Sequence, residues 1–294
     1  MLACDKKNHT FNIAVYVILS LFLIIIFVPL IFVIVNSISN PDLVSNGEVG
    51  LFPKSIDFSA YKIVLGNEQV RRGFLNSILY TIGGTALSIV ITITSAYALS
   101  RKDFAYKKIL TVFFLVTMFI SGGMIPTLII VKDLGLINNP LALILPSCFS
   151  VWNMIVCKNY IEINVPWDVI ESSKMDGAND FYIFFKIVLP MCVPIIITMI
   201  LFYGIGYWNS YFNSILYLTA DHQELFPLQR VLYEIIEKND ISIFNVGGDS
   251  EFQGSIKKSI QYVSIVVSTL PILLVYPFIA KYMEKSVSVG SVKG

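Results

Sequence analysis

The chain has 294 residues, of which 55% are hydrophobic and only 14% charged, with a formal net charge of +1 and a mean hydropathy of +0.73. A soluble domain carries roughly 25% charged residues, and one core cannot hide this much apolar surface beneath a charged exterior. The balance excludes an ordinary soluble enzyme and points to an integral membrane protein; near neutrality, with no basic run carrying interleaved aromatics, gives no footing for nucleic acid.

A helix needs about 20 apolar residues to cross the hydrocarbon. Six segments qualify, at roughly 12–36, 75–99, 108–131, 140–160, 185–207 and 259–280. Their only charges are Lys108, Lys158 and Lys186, at or near the ends. The expected fold is therefore all-α and polytopic. Residues 1–11 are expected to form an N-terminal segment, 12–280 a six-helix transmembrane domain and 281–294 a tail. Residues 1–4 resemble a lipoprotein cleavage box at Cys4, but no apolar region precedes it, so lipidation is not expected; the first span is read as retained.

Basic residues in short loops set the orientation. Lys6 and Lys7, then Arg101, Lys102, Lys107 and Lys108, then Lys281, Lys285 and Lys293 all fall on one side. That side is expected to be the cytoplasm, with both termini and the 161–184 segment. Arg71 and Arg72 oppose the rule from a longer outer loop, where the bias weakens. Residues 37–73 are expected to hold a short interfacial helix. Residues 208–258 are expected to begin as helix and end as glycine-rich loop. Neither outer segment is large enough for a catalytic domain.

Much reactive chemistry is missing. The four cysteines form no CxxC pair, and His9 and His222 lie far apart, so neither a metal site nor a His-based nucleophile is expected. There is no phosphate-cradling GxxxxGK[ST] loop. Gly122-Gly123 and Gly247-Gly248 read as turn or helix-packing glycines. The spans carry no carboxylates, which argues against a proton-coupled carrier. They offer neutral polar groups instead: Asn76, Asn153 and the Trp208-Asn209 pair.

One stretch breaks the pattern: ESSKMDGANDFYIFFKIVLP, residues 171–190. Residues 166–176 suit a short helix, with Pro166 in its first turn and Asp168 and Glu171 favouring its dipole. Gly177 then permits a sharp turn, including positive φ, before the chain enters the fifth span. Such a helix presents Glu171 and Asp176 to an outside partner; the plainer alternative is a polar loop.

The pattern Glu171-Ser172-Ser173, Asp176-Gly177-Ala178 and Ile187-Val188-Leu189-Pro190 resembles the EAA loop of ABC importer permeases. That motif reads E-A-A, three residues, G, nine residues, I-x-L-P, and the spacing here matches throughout. Two alanines are replaced by serines. The stretches SGGMIPTLIIVKDLGLINNPLALILP, WNMIV, YWNSYF, PLQRVL and the ending VGSVKG resemble the carbohydrate permeases of the maltose-uptake class. The nearest likeness is to a Gram-positive complex-sugar branch that includes the LplC-like and YtcP-like permeases. One departure is in the tail, where that branch usually has glycine at Ser286 or its neighbour.

The resemblance implies the type I ABC importer permease fold, in a bacterial cell membrane. It implies a non-catalytic subunit that imports an oligosaccharide. Its partners would be a second homologous permease in a heterodimer, two ATP-binding subunits that hold the ATP and Mg, an extracellular sugar-binding lipoprotein and membrane lipid. This chain would hold no cofactor or metal. A loop at about 165–184 would couple to the ATPase through Glu171, Ser172, Ser173, Asp176, Gly177, Ala178, Leu189 and Pro190. Asn153, Trp208, Asn209 and Tyr211 are candidates for the substrate pathway, since amides suit sugar hydroxyls and aromatic rings suit sugar faces. The same residues equally serve packing or gating. The rival functions are an ABC permease for a peptide or anion, an ion-coupled carrier and a membrane-embedded enzyme.

Overall fold

A computed structural model of the chain describes residues 9–236, 244 and 250–290. Lys6, Lys7, Gly247-Gly248 and most of the glycine-rich end of the second outer segment lie outside the described residues, as do the side chains of the tail. Among the described residues the regular elements are helical, apart from one antiparallel bridge between Ser39 and Ile56. Contacts divide the chain into two units, Met1–Glu68 with Glu234–Thr269, and Gln69–Tyr233 with Leu270–Gly294.

The first unit contains α1 (His9–Ser37), α2 (Pro41–Ser45) and α3 (Ser59–Gly66). The most apolar 18-residue stretch of α1 has a mean hydropathy of 3.4 and buries none of its residues. A helix apolar on every side is solvated by lipid, not by its own chain. Its last turn is tied down by polar bonds: Asn36 Nδ2 donates to Phe32 O at 2.8 Å, and Ser37 Oγ meets Tyr61 Oη at 2.9 Å. Val35, Val44 and Val49 make a small core, packed by Leu43 and Tyr262. The single interfacial helix expected in 37–73 is in fact two, α2 and α3. Asn40 caps α2 by accepting the Asp42 amide at 2.9 Å, with proline at the first position.

The second unit holds α4 (Glu68–Ser100), α5 (Lys107–Phe119), α6 (Met124–Asp133), α7 (Leu141–Ile144), α8 (Val151–Asn164), α9 (Trp167–Met175), α10 (Asp180–Tyr182), α11 (Leu189–Met191), α12 (Val193–Trp208) and α13 (Tyr211–Tyr217). Two further helices, α14 (Leu228–Ile236) and α15 (Ser250–Gly290), belong partly to each unit. The expected border at 280 leaves no mark on the backbone, because α15 continues to Gly290.

Among the described residues three helices are long and apolar enough to cross a membrane, and the count reaches six if each of three bent pairs is one span. α5 and α6 meet at 110°, the α7 and α8 segments at 52°, and the α10–α11 stretch meets α12 at 76°. Each break has a local cause. Between α5 and α6, Gly123 adopts φ 88° and ψ 179°, a region open essentially to glycine alone. The α7 break follows a 3-10 turn containing Pro146, after which Ser150 Oγ accepts the Asn153 amide at 3.3 Å and starts α8. In the fifth span a π-helical stretch, Ile183–Val188, is followed by Pro190 and Pro194. Each proline removes one amide from the helical ladder.

The core of this unit joins α4, α8, α9 and α12 through Ile93, Ala96, Met154, Cys157, Ile161, Ile170, Ile183 and Met199. Two tyrosines lock α12 onto α4. Tyr203 Oη meets Thr92 Oγ1 at 2.7 Å; Tyr207 Oη meets Ser88 Oγ at 3.1 Å and donates to Ile144 O at 3.0 Å. A methyl group at Gly84 would sit 2.6 Å from the Tyr207 ring, so this crossing requires a residue without a side chain.

Candidate coupling site

α9 stands on one apolar foot. Ile170 is 4% exposed and joins the core beside Ile161, Val165 and Ile183. The remaining turns face outward, and Glu171, Ser172 and Asp176 are exposed. Pro166 is the N-cap residue, with φ −60° and ψ 134°, one position before the first turn in which it was expected. Asp168 does lie in that first turn. The two serines that replace alanines turn their hydroxyls inward: Ser172 and Ser173 Oγ donate to Val169 O at 3.2 and 2.6 Å. Neither adds a free donor to the surface, so the exposed face remains as smooth as alanine would leave it.

The elbow is a Schellman-type stop. Gly177 has φ 85°, its amide donates to Lys174 O at 3.0 Å, and the Ala178 amide donates to Ser173 O at 3.0 Å. A Cβ at Gly177 would meet nothing within 4 Å, so backbone conformation, not space, demands glycine there. Asp176 is the C-cap through its backbone. Ala178 and Leu189 pack against the core, whereas Pro190 is exposed. Asn179 restarts the helix by accepting the Tyr182 amide at 2.7 Å.

A charged network joins this segment to the α4–α5 turn. Arg101 grips Asp103 with both arms of its guanidinium, at 2.8 and 2.5 Å, and reaches Asp180 Oδ1 with Nη1 at 2.6 Å. Lys174 Nζ donates to Asp103 Oδ2 at 2.6 Å. The Lys102 and Lys174 ammonium groups each lie 5.9 Å from the Trp167 ring centre. The hydrogen bonds from Arg101, then from Lys174, hold the Asp103 carboxyl well below the usual carboxylate range, and the Asp103 bond raises Arg101 above its own. Lys107 also pairs with Glu162 at 2.8 Å. The turn at 101–107 and the 161–184 segment therefore share one end of the unit, as the basic residues imply.

The opposite end of α4 is held differently. Asn76 Nδ2 donates to Glu224 O at 2.8 Å and Phe226 O at 3.1 Å, Tyr80 Oη to Leu225 O at 3.1 Å, and Ser77 Oγ accepts the Leu228 amide at 2.8 Å. Nearby in the same segment, the Thr219 amide donates to Asn138 Oδ1 at 2.8 Å.

The four pathway candidates do not share one pocket. Trp208 is 6% exposed, stands edge-on to Phe74 at 5.9 Å and lines an apolar cavity of about 580 Å³ with Thr81, Thr85, Ile200 and Tyr276. Asn209 and Tyr211 line a separate cleft of about 320 Å³ with Ser147, Tyr203 and Asn213. Tyr211 also stacks on Tyr233 with ring centres 5.4 Å apart. Asn153 is buried on α8 and lines neither space. Among the described residues no three His, Cys, Asp or Glu side chains converge on a point that would hold a metal.

Sequence reasoning missed Ile170, Arg101, Asp103 and Asp180. Asp103 and Arg101 are both visible in the 101–107 turn, but their partners Lys174 and Asp180 lie 71 and 79 positions away. No local spacing rule connects them.

Comparison with known proteins follows the same lines. The family model described as "Binding-protein-dependent transport system inner membrane component" matches residues 63–289. A Bacillus subtilis relative, the polygalacturonan/rhamnogalacturonan transport system permease protein YtcP, is 39% identical over 98% of this chain and 100% of its own length. Protein LplC of the same organism is 36% identical over 90% of this chain and 89% of its own. Among solved structures, a chain of a bacterial ABC transporter involved in the import of the acidic polysaccharide alginate superposes with a TM-score of 0.85 at 30% identity. It covers 96% of this chain and 99% of that one.

Proposed function

This chain belongs to the binding-protein-dependent transport system inner membrane components, and from that membership we propose that it is the membrane-spanning subunit of an ATP-driven importer of oligosaccharides. It forms the pathway with a second, homologous permease and is driven by two ATP-binding subunits that hold the ATP and Mg. An extracellular sugar-binding lipoprotein delivers the solute. The chain itself performs no catalysis and holds no cofactor. Both termini and α9 face the cytoplasm, in line with the basic residues of the 101–107 turn. Import of a sugar polymer or its fragments is supported by the transport names of the Bacillus subtilis relative and of the alginate importer.

The observation that carries this reading is the elbow at 166–178. An exposed polar helix, rooted by Ile170 and ended by Gly177 at positive φ, suits a part that a cytoplasmic ATPase must grip. Glu171 supplies an exposed carboxylate for a charge-assisted bond, among the stronger surface contacts. ATP-driven closure of the ATPases would move α9 and turn the pathway from one side to the other, as a rigid-body change. Asn153, Asn209 and Tyr211 are assigned to the pathway, and Trp208 to its packing.

The test is reconstitution in liposomes. The chain alone is expected neither to hydrolyse ATP nor to accumulate sugar. The assembled complex is expected to accumulate neutral or uronic-acid oligosaccharides only with ATP and the binding protein. Accumulation by the single chain would sink the reading. Sidedness is checked in intact cells: a cysteine at Lys174 is expected to be shielded from an impermeant reagent and one at Asp221 to be labelled.

A further inference from the structure

We propose that α4 is the rod that carries movement of the coupling segment to the far side of the membrane, and that Arg101 is the positioning residue that clamps it to that segment. The inference rests on the proposed importer reading and adds a route for the motion. α9 is joined through the backbone only to α8 and to the fifth span. Arg101 and Asp103 add a second, noncovalent attachment, to α4. Arg101 is well placed for it: its side chain is only 12% exposed, and one guanidinium spans Asp103 on its own turn and Asp180 just beyond the elbow. Lys174, on α9 itself, closes the loop back to Asp103. A planar fork can hold two carboxylates at once, which an ammonium cannot do in the same geometry.

From that clamp α4 runs 33 residues, about 50 Å at 1.5 Å per residue, without a break. It is the only described span of this unit that is both continuous and anchored at each end. Its outer turns bond directly to the backbone at 224–228 through Asn76, Ser77 and Tyr80. The other spans that rise from the coupling end are broken: the fifth bends by 76°, the α7–α8 span by 52°, the third by 110°. A span whose hydrogen-bond ladder is interrupted yields more readily to bending than an intact helix, so a displacement passes best along the straight one. The geometry thus gives one stiff path from the coupling elbow to the 224–228 segment. Arg101 is where that path can be opened without touching the ATPase or the solute.

The experiment uses the assembled complex, comparing wild type with Arg101→Ala, Arg101→Lys and Asp180→Asn. Asp180 is 64% exposed, so its amide variant removes the bridge with little risk to folding. Two quantities are read: sugar accumulated per ATP hydrolysed, and the ATP-induced response of a fluorophore placed at the exposed Leu75, near the outer end of α4. The expected result is a fall in sugar per ATP of about 5-fold or more in Arg101→Ala, the lower end of measured coupling between sites. Asp180→Asn falls in the same direction, Arg101→Lys falls less, and the Leu75 response is lost while the ATPase subunits still co-purify. A purely structural role would lower the amount of complex and leave both ratios intact. Wild-type sugar per ATP and a wild-type Leu75 response in Arg101→Ala and Asp180→Asn overturn the clamp. Absence of uptake in the wild-type complex strikes instead at the proposed importer, while the Leu75 response still decides the clamp.

Discussion

The two ends of α4 are held by opposite kinds of bond. At the coupling end the partners are charged side chains on surface turns: Arg101, Asp103, Lys174 and Asp180, with both carboxylates at least 40% exposed. At the far end Asn76, Ser77 and Tyr80 bond to backbone groups, and the Ser77–Leu228 bond is fully buried. Exposed ion pairs contribute about 0–1 kcal/mol each. A buried amide left without an acceptor costs about 1–3 kcal/mol. The far end is thus fixed and the coupling end is exchangeable. In the proposed importer this would let the drive side re-form contacts in every cycle while its lever keeps its shape.

The largest test of that contrast is Ile170→Ala. If the coupling end is rooted by its apolar foot and only steered by charge, this change destabilises the purified chain by about 2–5 kcal/mol, the usual range for a buried isoleucine. The reading is the thermal midpoint in detergent; a loss no larger than that of Asp103→Asn would reverse the ranking. Next is Ser77→Ala, which leaves the buried Leu228 amide unpaired and is expected to cost about 1–3 kcal/mol. It should lower the midpoint more than any single charge removal at the other end. Gly177→Val comes third. With φ 85° and open space around it, the penalty is backbone strain of roughly 1–2 kcal/mol. Membrane abundance should hold while ATPase co-purification and uptake fall, with Glu171→Ala acting in the same way but more mildly.

The smallest effect is a pH dependence. Asp103 is held below the usual range in the folded chain, so its contribution is complete above the unfolded value, about 3.9. It is lost as pH falls through the depressed folded value. The midpoint difference between wild type and Asp103→Asn should therefore be flat from pH 8 to 5 and shrink only under stronger acid. A change between pH 7 and 6 would mean that another group governs this end.

Much of the chain was legible before any coordinates. Six apolar runs demanded helices because lipid leaves no other partner for backbone amides. The short helix expected over 166–176 from Pro166 and its dipole-matched acids is present as Trp167–Met175, and the elbow followed from Gly177. The bends in three of these segments were not legible. Composition reports how apolar a segment is, not whether its ladder is intact, and the break at Gly123 turns on a single dihedral pair. The pathway candidates show the same divide: Trp208 and Asn209 are neighbours in sequence, yet they line different spaces.

The sequence by itself determined the helical class, the apolar segments and the place of the Gly177 elbow, because hydropathy, helix period and glycine conformation act over a few residues. Only the tertiary structure decided that Arg101 reaches Asp180, that Ile170 roots α9, that Ser77 holds the Leu228 amide and that Tyr207 lies over Gly84. These pairs are separated by tens to more than a hundred positions. Their formation depends on how bent spans pack against a straight one, which no local pattern encodes.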